Sequence, residues 1–286
     1  MSEFQDANPK SRAVTIAIDS TVLTIAGSDP SGGAGLQVDL KAFQQTGCYG
    51  MAVVTLLTVQ NTMGVRRVEV MDSELVGQQL TAVLEDIPPR ALKTGALGNA
   101  QIITEVSELL EDVGCPVIVD PVLVSKNNDS LADDDAVEAY RSQLFPRAVL
   151  VTPNRFEAER LVGRELKDLQ SIADAASEIQ QLGPAYVLIK AGDFDGVRHH
   201  MIATPSGVVG LELKNLDTPQ THGAGCALSA VIAARLALTV QGEMKESVMR
   251  SAIDFAVAAV HHAIEFAPNF GAGRGPIESR MLHVGD

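Results

Sequence analysis

Short apolar runs alternate with amphipathic stretches along most of the chain. Val22-Leu23-Thr24-Ile25-Ala26 ends in Gly27 and reads as a buried strand. Turn residues fill 28–35, and 36–46 then reads as a helix stopped by Gly47. A second apolar strand is predicted over 51–59. Leu75, Val76, Leu80, Val83, Leu84 and Ile87 fall on one helical face, which Pro88-Pro89 ends. The alternation continues with a strand at 91–94, a helix at about 99–112 and a strand at 117–119. A helix near 134–144 precedes a strand at 148–152, and Pro153-Asn154 opens another helix. Ile172, Ala175, Ala176, Ile179 and Leu182 form a further helical stripe, followed by a strand at 186–189.

The pattern changes at 198–214, which reads as a β-hairpin with strands at 200–203 and 208–213 turned at Pro205-Ser206-Gly207. Two long helices follow, about 224–239 and 246–266, before a Gly-rich tail at 268–276. Repeated strand–helix alternation implies an α/β fold of three layers, α/β/α, around a mainly parallel sheet. No linker or composition shift divides it, so residues 20–286 are expected to form a single domain, with 1–19 as a flexible leader.

Composition sharpens this picture. Of the 286 residues 46% are hydrophobic and only 4% aromatic, with no Trp, which suits buried parallel strands under helices. The net charge of −14 comes with no basic cluster, which disfavours nucleic-acid binding. A phosphorylated ligand would then need a local reversal of charge from backbone N–H groups, a lysine or a metal cation. Three widely spaced cysteines, Cys48, Cys115 and Cys226, suit a reducing cytoplasm better than an oxidising compartment. No apolar run reaches membrane-spanning length.

In open parallel sheets, ligands bind beyond the C-terminal ends of the strands. The polar and Gly-rich groups sit there: the 27–35 loop, Thr94-Gly95, Asp120-Pro121, Pro153-Asn154 and Lys190-Ala191-Gly192. Thr221-His222-Gly223-Ala224-Gly225-Cys226 leads into an apolar helix. It could deliver backbone donors and a helix dipole to a phosphoryl group, or be a plain glycine turn with a structural cysteine. A thiol in the first turn tends towards a lower pKa and could accept a proton from a hydroxyl. Asn154 and Glu157 could hold a hydrated Mg²⁺ or only cap a helix, and capping is the commoner reading of that spacing. Asp120 could orient metal water or close a turn. Lys190 could offset phosphate charge or be a surface lysine. Asp39 could bind a polar substrate edge or be a surface charge. Gln60 and Asn61 carry amides that could read a heterocycle's donors and acceptors or simply form a turn.

The run 23–37, LTIAGSDPSGGAGLQ, resembles that of the hydroxymethylpyrimidine and phosphomethylpyrimidine kinases of thiamine biosynthesis, in the ribokinase-like superfamily. The resemblance continues through Tyr49-Gly50-Met51, Gln60-Asn61-Thr62, Lys93-Thr94-Gly95, Val119-Asp120-Pro121-Val122, Thr152-Pro153-Asn154 with Glu157-Ala158-Glu159, and 221–229. It spans about residues 20–276 in order. It implies two ATP-dependent phosphorylations, first of 4-amino-5-hydroxymethyl-2-methylpyrimidine and then of its monophosphate. It places Gly27, Asp39 and Gln60 at the pyrimidine, with Val122 and Ala96 in the pocket wall. It places Asp120, Asn154 and Glu157 at Mg²⁺ and phosphate, and Lys190 and Thr221 at ATP. Cys226 stands at the base position, with Gly223, Ala224 and Gly225 as the anion hole. A homodimer is also implied.

Three positions depart from the family pattern: Ala96 where Met is usual, Lys126-Asn127-Asn128-Asp129 at the lid, and Ala224 where Thr is usual. Ala96 keeps a pyridoxal or pyridoxine kinase in play. A non-catalytic pyrimidine-binding protein is the reading from another class, against which Cys226, Asn154 and Glu157 stand. A sugar kinase is disfavoured because position 226 is not Asp.

Overall fold

The computed structural model describes residues 20–123, 133–240, 242 and 244–283. The expected leader, 1–19, and the lid motif 126–129 lie outside the described residues. The strands are β1 (Thr21–Ser28), β2 (Tyr49–Asn61), β3 (Gly64–Val70), β4 (Ala91–Thr94), β5 (Val117–Val119), β6 (Leu150–Val151), β7 (Tyr186–Phe194), β8 (Val197–Thr204) and β9 (Gly207–Lys214). The helices are α1 (Gly35–Gln45), α2 (Ser73–Asp86), α3 (Ala100–Leu109), α4 (Asp134–Ala139), α5 (Arg155–Val162), α6 (Leu169–Gln180), α7 (Ala224–Thr239) and α8 (Glu246–Glu265).

All the strands belong to one sheet in the order β3-β2-β1-β4-β5-β6-β7-β8-β9. The run from β2 to β7 is parallel, and β3, β8 and β9 are antiparallel additions at its two edges. The alternation of side chains along β1 divides the core. Leu23 and Ile25 pack with Val76, Leu80, Ile102, Leu161 and Ile172 on one face of the sheet. Val22 packs with Phe43, Val231 and Ile253 on the other. Helix α7 is buried almost all round, which is why its sequence is apolar without a polar face.

After β1 the chain first builds β2 on one side and later β4 on the other. That reversal opens a crevice beyond the C-terminal ends of β1 and β4, the usual ligand position in such sheets. Gly27 and Gly95 stand at its mouth. A Cβ on Gly27 would come within 2.4 Å of Leu56 Cδ1, so a larger residue there would have to displace the buried Leu56 side chain.

The sheet differs from expectation mainly at its edges. Strand β3 was not expected: its residues GVRRVEV do not alternate cleanly, and much of the strand is solvent-exposed at the sheet edge. Val59 pairs with Arg67 and Gln60 with Val65, so Arg66 is an extra, bulged residue opposite Gln60. Strands β7 and β8 are longer than expected and pair through Phe194 and Val197. The expected helix at 134–144 is α-helical only to Ala139. It widens into one π-turn over Tyr140–Leu144, where the Tyr140 hydroxyl donates to the Gly95 carbonyl at 3.2 Å.

Candidate active site

The glycine loop at 28–35 is organised by one carboxylate. Asp29 is 3% exposed and accepts from the Ser31 N–H, the Ser31 hydroxyl and the Ala34 N–H, each at 2.9 Å. Burial works to raise its pKa, but hydrogen bonds from His222 and Ser31 outweigh it and hold the carboxyl below its usual range. The fourth partner, His222 Nε2, lies 2.7 Å from Asp29 Oδ2 and comes from the loop before α7.

That second loop lies tightly on the first. Gly223 is the N-cap of α7 with φ +80°, and a Cβ there would fall 1.8 Å from the Gly33 carbonyl oxygen. A helix leaves its first N–H groups without intrahelical partners. The Ala224 N–H turns back to the Thr221 carbonyl at 3.3 Å, which engages one of the three residues expected to form an anion hole. Gly225 also sits against charge: a Cβ built on it would lie 3.3 Å from Lys190 Nζ and 3.9 Å from Asp120 Oδ2.

Lys190 is not the solvated lysine that its sequence position allowed. Its Nζ donates to Asp120 Oδ1 at 2.9 Å, and the two side chains are 16% and 3% exposed. Burial acts to lower the Lys190 pKa, but the carboxylates of Asp120 and Glu157 raise it above its usual value. Thr152 Oγ1 donates to the same Asp120 oxygen at 3.0 Å. Asn154 and Glu157 form a complete capping box on α5: the Asn154 side chain accepts from the Glu157 N–H at 2.9 Å, and Glu157 Oε2 accepts from the Asn154 N–H at 2.7 Å. The capping reading holds, and both residues also line the cleft. Burial pushes the Glu157 carboxyl up to about 8, against the pull of Lys190.

Two clefts result. The first encloses roughly 1160 Å³, part of it open to solvent. Gly27, Gln60, Ala96, Val122, Asp120, Glu157, Gly223 and Cys226 line it, together with Lys93 and His222. The second, of roughly 990 Å³, runs between β8, β9 and helices α7 and α8, with Thr221 and Ala224 in its wall and apolar sides from Leu213, Leu228, Val257 and Ile264. Asn154, Lys190 and Gly225 line both, so the clefts meet at the helix N-terminus and its lysine.

Two expectations change here. Asp39 is not a surface charge, and it is not among the residues lining the first cleft. It is fully buried on α1, accepting from the Thr24 hydroxyl at 2.7 Å and from Lys93 Nζ at 2.8 Å, because an inward position on that helix faces the strand that carries Lys93. The Cys226 thiol is not lowered by its place in the first turn of α7. Burial pushes it up to about 11, opposed by Lys93, while the carboxylates of Asp39 and Asp120 add to the rise.

Lys93 and the Asp29–His222 contact were not assigned roles from the sequence. The signal for Lys93 was present: it is the one charged residue in a four-residue strand with no exposed position. Nothing in the spacing of residues 29 and 222 indicates that they touch.

The nine-stranded sheet with helices on both faces, and a cleft at its switch point, define a kinase of the ribokinase-like class. The family model for phosphomethylpyrimidine kinase matches residues 29–278, and the chain belongs to that family. It is 40% identical over 259 residues to the hydroxymethylpyrimidine/phosphomethylpyrimidine kinase of Synechococcus elongatus, covering 89% of this chain and 95% of that one. Among solved structures it is similar to the phosphomethylpyrimidine kinase of Clostridium difficile, with 36% identity, a TM-score of 0.73 and coverage of 86% and 99%. It is also similar to the pyridoxal kinase of Bacillus subtilis in its ADP complex, with 33% identity, a TM-score of 0.82 and coverage of 92% and 98%.

Proposed function

We propose that this chain transfers the γ-phosphoryl group of ATP to 4-amino-5-hydroxymethyl-2-methylpyrimidine and then to the resulting monophosphate, giving the diphosphate used in thiamine biosynthesis. The observation that carries this reading is the junction of two clefts at Gly225, Lys190 and Asn154. One cleft offers amide and backbone groups to a small heterocycle. The other offers an apolar slot beside a lysine to a nucleotide.

In the first step the substrate hydroxyl oxygen attacks the γ-phosphorus. The bond from that phosphorus to the β,γ-bridging oxygen breaks, and ADP leaves. The hydroxyl proton goes to the Cys226 sulfur, which must therefore reach the thiolate form at the moment of attack. Lys93, buried below the cleft, favours that thiolate. The Gly225 and Cys226 backbone donors and the Lys190 ammonium face the charge on the phosphoryl oxygens, which is where positioning and electrostatics carry this chemistry.

Among the described residues no three His, Cys, Asp or Glu side chains form a metal cage. Mg²⁺ is usually held by one or two carboxylates with phosphate oxygens and water, and the buried pair Asp120 and Glu157 fits that donor set. When bound there it would neutralise phosphate charge. The homodimer comes from the same family reading and the cytoplasmic location from the three widely spaced cysteines; equilibrium sedimentation tests the first.

One observation favours a second reading. Ala96 lines the first cleft where the family usually carries methionine, and the smaller side chain leaves room for the additional ring substituents of a B6 vitamer. Relative kcat/KM for the hydroxymethylpyrimidine, its monophosphate, pyridoxal and pyridoxine, with ADP formation as readout, decides between them. ADP formation with none of them would overturn both.

A further inference from the structure

His222 Nε2 has two neighbours and one hydrogen position. Asp29 Oδ2 lies at 2.7 Å and the terminal amide of Gln60 at 3.2 Å, with Gln60 Nε2 as the facing atom. The three residues come from different parts of the chain: the loop after β1, the end of β2 and the loop before α7. All of them line the first cleft. The imidazole is held in place. It is 8% exposed, and a Cβ on Gly33 would lie 2.5 Å from its Cδ2. Its backbone is pinned by the His222 N–H to the Gly275 carbonyl at 3.0 Å and by the Ile277 N–H to the His222 carbonyl at 3.3 Å.

The Asp29 carboxylate decides where the hydrogen sits. Its pKa is held below the usual range, so it is ionised and can only accept. A bare Nε2 lone pair 2.7 Å from a carboxylate oxygen would be repulsive, so Nε2 carries a hydrogen in the neutral and the cationic ring alike. The Gln60 group facing an Nε2–H must then be the amide oxygen, because an NH₂ there would oppose one donor with another. The two amide atoms look alike to electron density and to geometry, and the hydrogen-bond network assigns them. With the oxygen turned to His222, the NH₂ is left for the ligand.

We propose that His222, oriented by Asp29, is a positioning residue that fixes the polarity of Gln60, so that the cleft selects heterocycles presenting a hydrogen-bond acceptor, such as an unprotonated ring nitrogen, to that amide. This rests on the first cleft being the substrate site. It adds which edge of the ring is read, and which residue sets the reading.

Two measurements test it. The first needs no turnover: ¹⁵N shifts of the labelled full-length chain report which ring nitrogen of His222 is protonated, with His222→Phe supplying the assignment. A protonated Nε2 is expected, and a bare Nε2 overturns the proposal even if the chain proves to be an active pyrimidine kinase. The second compares a substrate with its deaza analogue, in which one ring nitrogen is replaced by C–H, each ring position being tried in turn. In the wild type, removal of the recognised nitrogen should lower kcat/KM about ten- to a hundredfold, the usual effect of leaving one buried donor unpaired. In His222→Phe, which keeps a flat ring against Gly33, that ratio should collapse towards one, and His222→Gln should restore part of it. If His222→Phe lowers both substrates by the same factor, His222 is only structural and the proposal fails. If no substrate pair turns over at all, the kinase reading fails, while the ¹⁵N result still stands on its own.

Discussion

Lys93 Nζ donates to Asp39 Oδ2 at 2.8 Å, and neither side chain has any exposure to solvent. The pair joins α1 to β4 directly beneath the first cleft. Burial acts to lower the pKa of Lys93, but Asp39 outweighs it, so the ammonium is retained. Removing one member of a buried pair strands the other, at a cost of about 3–5 kcal/mol. Asp39→Ala is therefore expected to destabilise the chain by that amount in urea unfolding. Lys93→Met should cost less, because burial already raises the Asp39 carboxyl and it protonates readily when left alone, whereas Lys93 is held charged. An Asp39→Ala loss below about 1 kcal/mol would show that the pair carries no structural weight.

Much of this was legible in the sequence. Every strand of the parallel part and every helix from α1 to α8 was anticipated within a few residues, because their apolar periods reflect burial on one or both faces. The strand ends did converge on one crevice. What the sequence does not reveal depends on contacts between distant segments. The spacing of Asp39 on α1 shows that it sits on a helix, but not that the inward face meets a lysine on β4. Cys226 at a helix N-terminus suggests a lowered thiol, whereas the packing of α7 against the sheet reverses the direction. Strand β3 was missed because its edge position imposes little hydrophobic pattern.

Glu157 offers a pH test with a definite sign. Its folded pKa is raised from 4.5 to about 8 by burial, so the folded state holds a proton that the unfolded state releases. Stability from this group is fully present below pH 4.5 and is lost as pH rises through about 8. Glu157→Gln has no proton to lose. The difference in unfolding free energy should therefore shift in favour of the glutamine variant as pH rises from about 5 to 8. A pH-independent difference would show that the carboxyl is not perturbed. Saturating Mg²⁺ with nucleotide should reduce the shift if Glu157 faces the cation.

Gly223 tests the contact between the two loops. At φ +80° an alanine is strained, and its Cβ would lie 1.8 Å from the Gly33 carbonyl oxygen, so backbone must move. Gly223→Ala is expected to shift the first turn of α7 and with it the Gly225 and Cys226 donors, lowering kcat by up to about 10²- to 10³-fold, the loss seen when an oxyanion donor is misplaced or removed. The clash lies between two buried loop residues and outside both hydrophobic core clusters, so the fold should survive, which circular dichroism checks. Full activity in this variant would remove the anion hole from the proposed mechanism.

The two proposed phosphorylations make different demands on Cys226, and this separates its chemical role from its structural one. In the first step the nucleophile is an alcohol that must lose a proton. In the second it is a phosphate monoester, whose second pKa near 6 leaves it a dianion at pH 8 with no proton to remove. A base is needed only for the alcohol. With the thiol pushed up to about 11, first-step kcat/KM should climb with pH across the neutral range as the thiolate fraction grows, and the second step should not show that rise. Cys226→Ala should therefore lower the first step about 10²- to 10⁴-fold, the range for general-base catalysis, and abolish its thiol-dependent pH limb. The second step should fall by much less, since the Gly225 and residue-226 backbone donors remain. The measurement is single-turnover formation of each product, followed separately from pH 6 to 10. Equal losses in both steps would mean that Cys226 shapes the anion hole and does not take the proton, and the base would have to be sought elsewhere in the cleft.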